Sequence, residues 1–129
     1  MARERILIVE DNRKNMKLAC DVLEHSGYVT VPARTAEDAL ATIATQPPDL
    51  ILMDIALPGI DGFEALERLR ADETTAAIPV CALTAFAMND DRERCLRAGF
   101  DGYLAKPIDV REFPRQVRVL LDVHEEAAP

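Results

Sequence analysis

The chain alternates short, wholly apolar runs with stretches in which apolar residues recur at helical spacing. Ile6-Leu7-Ile8-Val9 is continuous and rich in β-branched residues, the pattern of a strand buried on both faces. It stops at Glu10-Asp11-Asn12. Met16, Ala19, Cys20, Val22 and Leu23 then follow a helical period, and Ser26-Gly27 supplies the stop. Tyr28 to Ala33 reads as a shorter strand. Pro32 places it at a sheet edge, because proline cannot donate to a ladder. Thr35, with Asp38 three residues later, predicts a helix start. Ala39, Leu40 and Ile43 form its apolar stripe, and Pro47-Pro48 ends it. Leu50-Ile51-Leu52-Met53 is a third strand that runs into Asp54. Leu57 to Gly62 reads as a loop, followed by Phe63, Leu66, Leu69 and Arg70 on a helix. Ile78 to Leu83 is a fourth strand ending at Thr84. Arg92, Cys95, Leu96 and Ala98 belong to a helix closed by Gly99. Gly102 to Ala105 is a short fifth strand ending at Lys106-Pro107. Asp109 with Glu112 predicts the start of a last helix that runs to about Val123, with Pro114 near its first turn.

This is a strand–helix unit repeated five times. Apolar strands separated by helices imply an α/β fold with a parallel sheet covered on both faces. No linker, low-complexity stretch or second composition block interrupts it. One domain over residues 1–123 is expected, with 124–129 as a short disordered tail.

Composition narrows the function classes. The 129 residues are 49% hydrophobic and 29% charged, which is globular. With 15 Lys and Arg against 23 Asp and Glu, the formal charge is −8, so a phosphate backbone is repelled and no nucleic-acid partner is expected. No apolar run approaches the roughly 18–20 residues of a membrane span, and the start has no secretory pattern. A cytoplasmic protein with no membrane partner is therefore expected. Cys20, Cys81 and Cys95 have no CxxC spacing and read as structural thiols. His25 and His124 are isolated and read as neither ligand nor base.

The polar residues that end the strands carry the chemistry. Ligands of open α/β sheets bind outside the carboxyl ends of the strands. Those ends offer Glu10 and Asp11 at the first strand, Asp54 at the third, Thr84 at the fourth and Lys106 at the fifth. Three carboxylates on one rim repel, by on the order of 3 kcal/mol per pair at about 5 Å and an effective dielectric near 20. Such a cluster survives if one carboxyl keeps a proton, if a cation sits there, or if the gap is wider. An oxygen-only site suits Mg²⁺. Any one of the acids alone reads more plainly as a helix cap, Thr84 as a turn hydroxyl and Lys106 as a solvated lysine. The set of five is harder to explain that way. A carboxylate can act as nucleophile toward phosphorus, with Mg²⁺, lysine and a hydroxyl neutralising the phosphoryl oxygens. Neither GxxxxGK[ST] nor GxGxxG occurs, which disfavours nucleotide binding.

Taken in order, Ile6 to Asn12, Leu52 to Gly62 with Asp54, Leu83-Thr84-Ala85 and Lys106-Pro107 resemble the receiver domain of two-component response regulators, over about Arg5 to Leu121. The run Thr84-Ala85-Phe86-Ala87-Met88 and the lack of an output domain resemble the stand-alone cell-cycle regulators of that family. Receivers belonging to hybrid histidine kinases share these features. The resemblance implies a doubly wound, flavodoxin-like (βα)5 fold with five parallel strands in the order 2-1-3-4-5. It implies Asp54 as phosphoacceptor, with Thr84 and Lys106 on the phosphoryl group. It implies Mg²⁺ held by Asp11, Asp54 and the Ala56 backbone carbonyl, with Glu10 acting through a bound water. The Lys106–Pro107 bond is cis in the family. Tyr103 takes the aromatic switch position, although an ordinary half-buried tyrosine would look the same.

The implied function is a phosphorylation-controlled switch and not a turnover enzyme. Its donor would be a histidine kinase or histidine phosphotransfer protein. Its downstream target would dock on the face of the fourth helix, fifth strand and fifth helix, where Phe86 and Met88 are candidate contacts. A passive phosphorelay intermediate is the alternative that sequence leaves open. An aspartyl phosphatase would normally place a second acid where Ala56 stands, and an FMN module would meet an acidic rim and find no tryptophan to stack on. Ala56 and Phe86, two residues after Asp54 and Thr84, are apolar and cannot orient an attacking water. A long-lived phosphoryl group is therefore expected.

Overall fold

A computed structural model describes residues 3–85 and 89–127, with side chains left undescribed at 89–90 and 124–127. Strands β1 (Arg5–Val9), β2 (Val29–Ala33), β3 (Leu50–Asp54), β4 (Val80–Thr84) and β5 (Gly102–Ala105) alternate with helices α1 (Arg13–His25), α2 (Ala36–Thr45), α3 (Gly62–Ala71), α4 (Asn89–Ala98) and α5 (Phe113–Ala127). All pairings are parallel, in the order β2-β1-β3-β4-β5. The α/β architecture and strand order expected from the sequence are those observed.

Because side chains alternate across a strand, the apolar runs feed two cores. Leu7, Val9, Ile51, Met53, Val80 and Ala82 face one layer, shared with Ala39 and Ile43 of α2, Leu66 and Leu69 of α3 and Cys95 of α4. Ile6, Ile8, Leu50, Leu52, Cys81 and Leu83 face the other, shared with Leu23 of α1 and Phe113, Val117 and Leu121 of α5. Burial on both faces is why β1, β3 and β4 carry unbroken apolar runs. The edge strand β2 is largely open, as Pro32 predicts. Cys81 and Cys95 are buried, Cys20 is half-buried, and all three are free thiols.

Local signals set the helix ends. Side chains of Asn12, Thr35 and Asp61 accept from the backbone N–H groups of Asn15, Asp38 and Glu64, starting α1, α2 and α3. Gly27 and Gly99 hold the positive φ that closes α1 and α4. Some boundaries differ from the pattern. Strand β4 begins at Val80, because the Ile78 N–H is taken by Thr75 in a turn. Helix α5 begins at Phe113, not Asp109. The Asp109 carboxylate instead caps a preceding turn through the N–H groups of Arg111 and Glu112, which leaves Pro114 in the first helical turn. At its other end α5 runs past Val123 to Ala127, since Glu125-Glu126-Ala127 are good helix formers. This puts most of the expected tail in the helix.

At the end of the sheet opposite the strand carboxyl ends, Arg70 joins three segments. It donates to the carbonyls of Ala76, Ile78 and Gly99 and to the Asp101 carboxylate, which also accepts the Val80 N–H.

Candidate functional site

Parallel strands in register bring their carboxyl ends to one rim. Asp54 is the last residue of β3 and pairs with Leu83; Thr84 ends β4 and pairs with Ala105. The Lys106 N–H bonds the Thr84 carbonyl at 2.7 Å, and the Glu10 N–H bonds the Ala33 carbonyl at 3.0 Å, so both residues still follow their neighbouring strands. Glu10, Asp54 and Thr84 are buried, and Asp11 is exposed at the mouth. One carboxylate oxygen from each of Glu10, Asp11 and Asp54 lies within 4.8 Å of the others.

Hydrogen bonds fix the buried part of this cluster. Lys106 Nζ lies 2.7 Å from Asp54 Oδ2, and 3.1 and 3.2 Å from the two Glu10 oxygens. The Ala56 N–H donates to Asp54 Oδ1 at 2.9 Å. Asn15 Nδ2 donates to Glu10 Oε1 at 2.8 Å. The Lys106–Pro107 bond is cis.

The repulsion expected among the acids is relieved in two ways. Burial, followed by the hydrogen bond with Asp54, pushes the Glu10 carboxyl up to about 7, against the opposing pull of Asn15 and Lys106. Burial also pushes Asp54 up, but hydrogen bonds with Glu10, Lys106 and the Ala56 N–H outweigh it and hold Asp54 below the usual carboxylate range. Burial lowers the Lys106 ammonium, but its bonds to Asp54 and Glu10 more than compensate and keep it charged. The site therefore keeps Asp54 ionised beside a fixed cation, which is the form a nucleophilic carboxylate needs.

The donor set fits a hard divalent ion, being oxygen-only, with one exposed carboxylate at the entrance and two buried ones behind it. Tyr103 is half-buried on β5 and packs against the core layer that contains α4. Ala56 is exposed just after Asp54. Phe86 and Met88 lie outside the described residues, and the side chain of His124 is likewise not described.

The structure brings Glu10, Asp11, Asp54, Thr84 and Lys106 to one rim, as the sequence led us to expect. Two contributors were not anticipated. Asn15 occupies the helix position where a capping box places its second polar residue, a signal that points to the helix start and says nothing of Glu10. Gly62 approaches the Asp54 backbone closely: a Cβ there would sit 2.8 Å from the Asp54 carbonyl oxygen and from Ile55 Cα. The first turn of α3 thus lies directly on the peptide that carries Asp54.

Comparison with known proteins agrees with this geometry. Residues 6–118 match the family model described as response regulator receiver domain. The chain is 46% identical over 116 residues to the polar-differentiation response regulator DivK of Brucella ovis, covering 90% of this chain and 94% of that protein. A solved CheY-like receiver domain protein from Methanospirillum hungatei superposes with a TM-score of 0.87 at 31% identity, covering 98% of this chain and 100% of the other. The receiver domain of a signal transduction histidine kinase from Syntrophus aciditrophicus superposes at 0.85 with 30% identity, covering 97% and 95%.

Proposed function

The chain belongs to the response regulator receiver domain family, and on that premise we propose that it is a single-domain response regulator whose Asp54 accepts a phosphoryl group from a phosphohistidine donor. The observation that carries this reading is a buried Asp54 held between the Lys106 side-chain nitrogen and the Ala56 N–H, with one oxygen each of two further carboxylates within 4.8 Å. An Asp54 oxygen attacks phosphorus as the phosphorus–nitrogen bond of the donor breaks, and the imidazole keeps that electron pair. The residues that hold Mg²⁺ in this reading are Asp11, Asp54 and the Ala56 carbonyl, with Glu10 acting through water. Bound there, the ion neutralises charge on the phosphoryl oxygens. Lys106 neutralises charge on the same oxygens, and Thr84, at the end of β4, donates its hydroxyl to one of them.

The added negative charge draws Thr84 toward it, and Tyr103 follows into the space released. The readout face is formed by α4, β5 and α5. Leu96 and Val119 are exposed there, and a groove between β5 and α5 sets Tyr103, Leu104, Val119 and Leu120 beside the charged Glu112 and Arg115. Apolar side chains on an acidic protein suit a protein target. The donor is a histidine kinase or histidine phosphotransfer protein. The polar-differentiation role of the Brucella relatives is extended to this chain on the strength of their 46% identity. A second reading, a receiver within a histidine kinase, is favoured by the likeness to the Syntrophus domain.

The test is covalent labelling. With Mg²⁺, acetyl phosphate is expected to add 80 Da or so to the wild-type chain, the mass of one phosphoryl group transferred by the chemistry above. Asp54→Asn should abolish the addition. Labelling that persists in that variant would move the acceptor elsewhere and reject the proposal.

A further inference from the structure

Glu10 is a buried carboxylate, 1% exposed, so the loss of a side-chain donor to it is costly. Lys106 lies 2.7 Å from Asp54 and 3.1 Å from Glu10, so its stronger attachment is to the acceptor. Asn15 donates a further side-chain hydrogen bond to Glu10, at 2.8 Å on Oε1. Besides Glu10, Asn15 and Lys106, the small cavity beside them is lined by Ile8, Leu18, Ala19, Leu83, Pro107 and Ile108, whose side chains offer no donor. The Asn15 backbone N–H is bonded separately by the Asn12 side chain at 3.0 Å, so the cap of α1 does not depend on the Asn15 amide.

We propose that Asn15 is a positioning residue for the metal site: its amide holds the Glu10 carboxyl in the one orientation from which Glu10 would reach the ion through water. This rests on the proposed phosphoacceptor function and deepens it. Asn15 touches neither the ion nor the reacting atoms in this role. Outer partners of this kind typically set metal affinity by about 10–100-fold.

Two variants separate the amide from its bulk. Asn15→Leu keeps the volume and removes the donor; Asn15→Ala removes both. The readout is Mg²⁺ affinity of the unphosphorylated chain by calorimetric titration, with thermal melting in the absence of Mg²⁺ alongside. Both variants are expected to bind Mg²⁺ about 10-fold more weakly while melting within a few degrees of wild type. Labelling by acetyl phosphate should recover when Mg²⁺ is raised to compensate. Wild-type affinity in Asn15→Leu overturns the proposal, because filling space would then be all that is required. A wild-type chain that binds no Mg²⁺ overturns the underlying function and this inference together. That outcome is distinct from equal binding by wild type and both variants, which overturns Asn15 alone.

Discussion

Lys106 and Asp54 meet at 2.7 Å although 52 residues of chain separate them. Their contact is made by strand register: Asp54 pairs with Leu83, the next residue of β4 is Thr84, and Thr84 pairs with Ala105 just before Lys106. The same ammonium reaches Glu10, so one cation bridges two carboxylates taken from the ends of β1 and β3. Breaking such a buried arrangement by removing one partner costs more than forming it gains.

The Glu10 carboxyl makes stability depend on pH. Its value rises from 4.5 to about 7 on folding, with burial as the first cause and Asp54 as the second. Between those values the folded chain keeps a proton that the unfolded chain has released, so this group's contribution falls as pH climbs through the window. Glu10→Gln removes the titration. Urea unfolding without divalent ions should show the variant gaining about 1–3 kcal/mol on wild type between pH 5 and pH 8. A difference that stays constant across that range would contradict the assignment.

Mg²⁺ should raise the melting temperature of the wild-type chain. Binding at about 100 times the dissociation constant adds roughly 2.7 kcal/mol, which is several degrees for a domain of this size. Asp11→Asn removes the exposed carboxylate proposed as a ligand at the mouth and should abolish most of the rise, with little change in the metal-free melting point. An undiminished response in that variant would remove Asp11 from the ligand set.

Gly62 offers a test of how tightly the acceptor's backbone is held. A methyl group at this position meets the Asp54 carbonyl and Ile55 Cα at 2.8 Å, and both are backbone atoms that cannot swing aside. Gly62→Ala is expected to cost about 1–3 kcal/mol in denaturant unfolding. It should also slow Asp54 labelling, because the displaced Ile55 Cα leads into the next peptide, whose Ala56 N–H binds Asp54 Oδ1. Wild-type stability and labelling rate together would show that the contact is not tight.

Phosphoryl lifetime follows from what surrounds the acceptor. Ala56 presents a methyl group where a polar side chain would orient water. Phosphorylated protein freed of donor should decay over minutes or longer, followed by loss of the added mass, and Ala56→Asn should shorten that time. Decay of the wild type within seconds would contradict the expectation.

The fold and the five rim residues were legible because each rests on a local signal: an unbroken apolar run followed at once by a polar residue. Topology then does the assembly, since parallel strands place every such residue at the same edge. The less legible features depend on contacts between distant segments. Nothing near Arg70 in sequence announces that it will bind Gly99 and Asp101, and Gly62 reads as loop chemistry until α3 is seen lying on the Asp54 peptide. The start of α5 was misplaced because Asp109 caps a turn in the same way that it would cap a helix.

Neighbouring residues of β5 belong to different halves of the molecule. Tyr103 sits against the layer that contains α2, α3 and α4, whereas Leu104 is embedded among α1 and α5. A swing of the tyrosine ring therefore opens or fills room on one side of the sheet only. In the proposed switch, displacement of that ring would change the packing on the α4 side, whereas Leu104 belongs to the layer behind it.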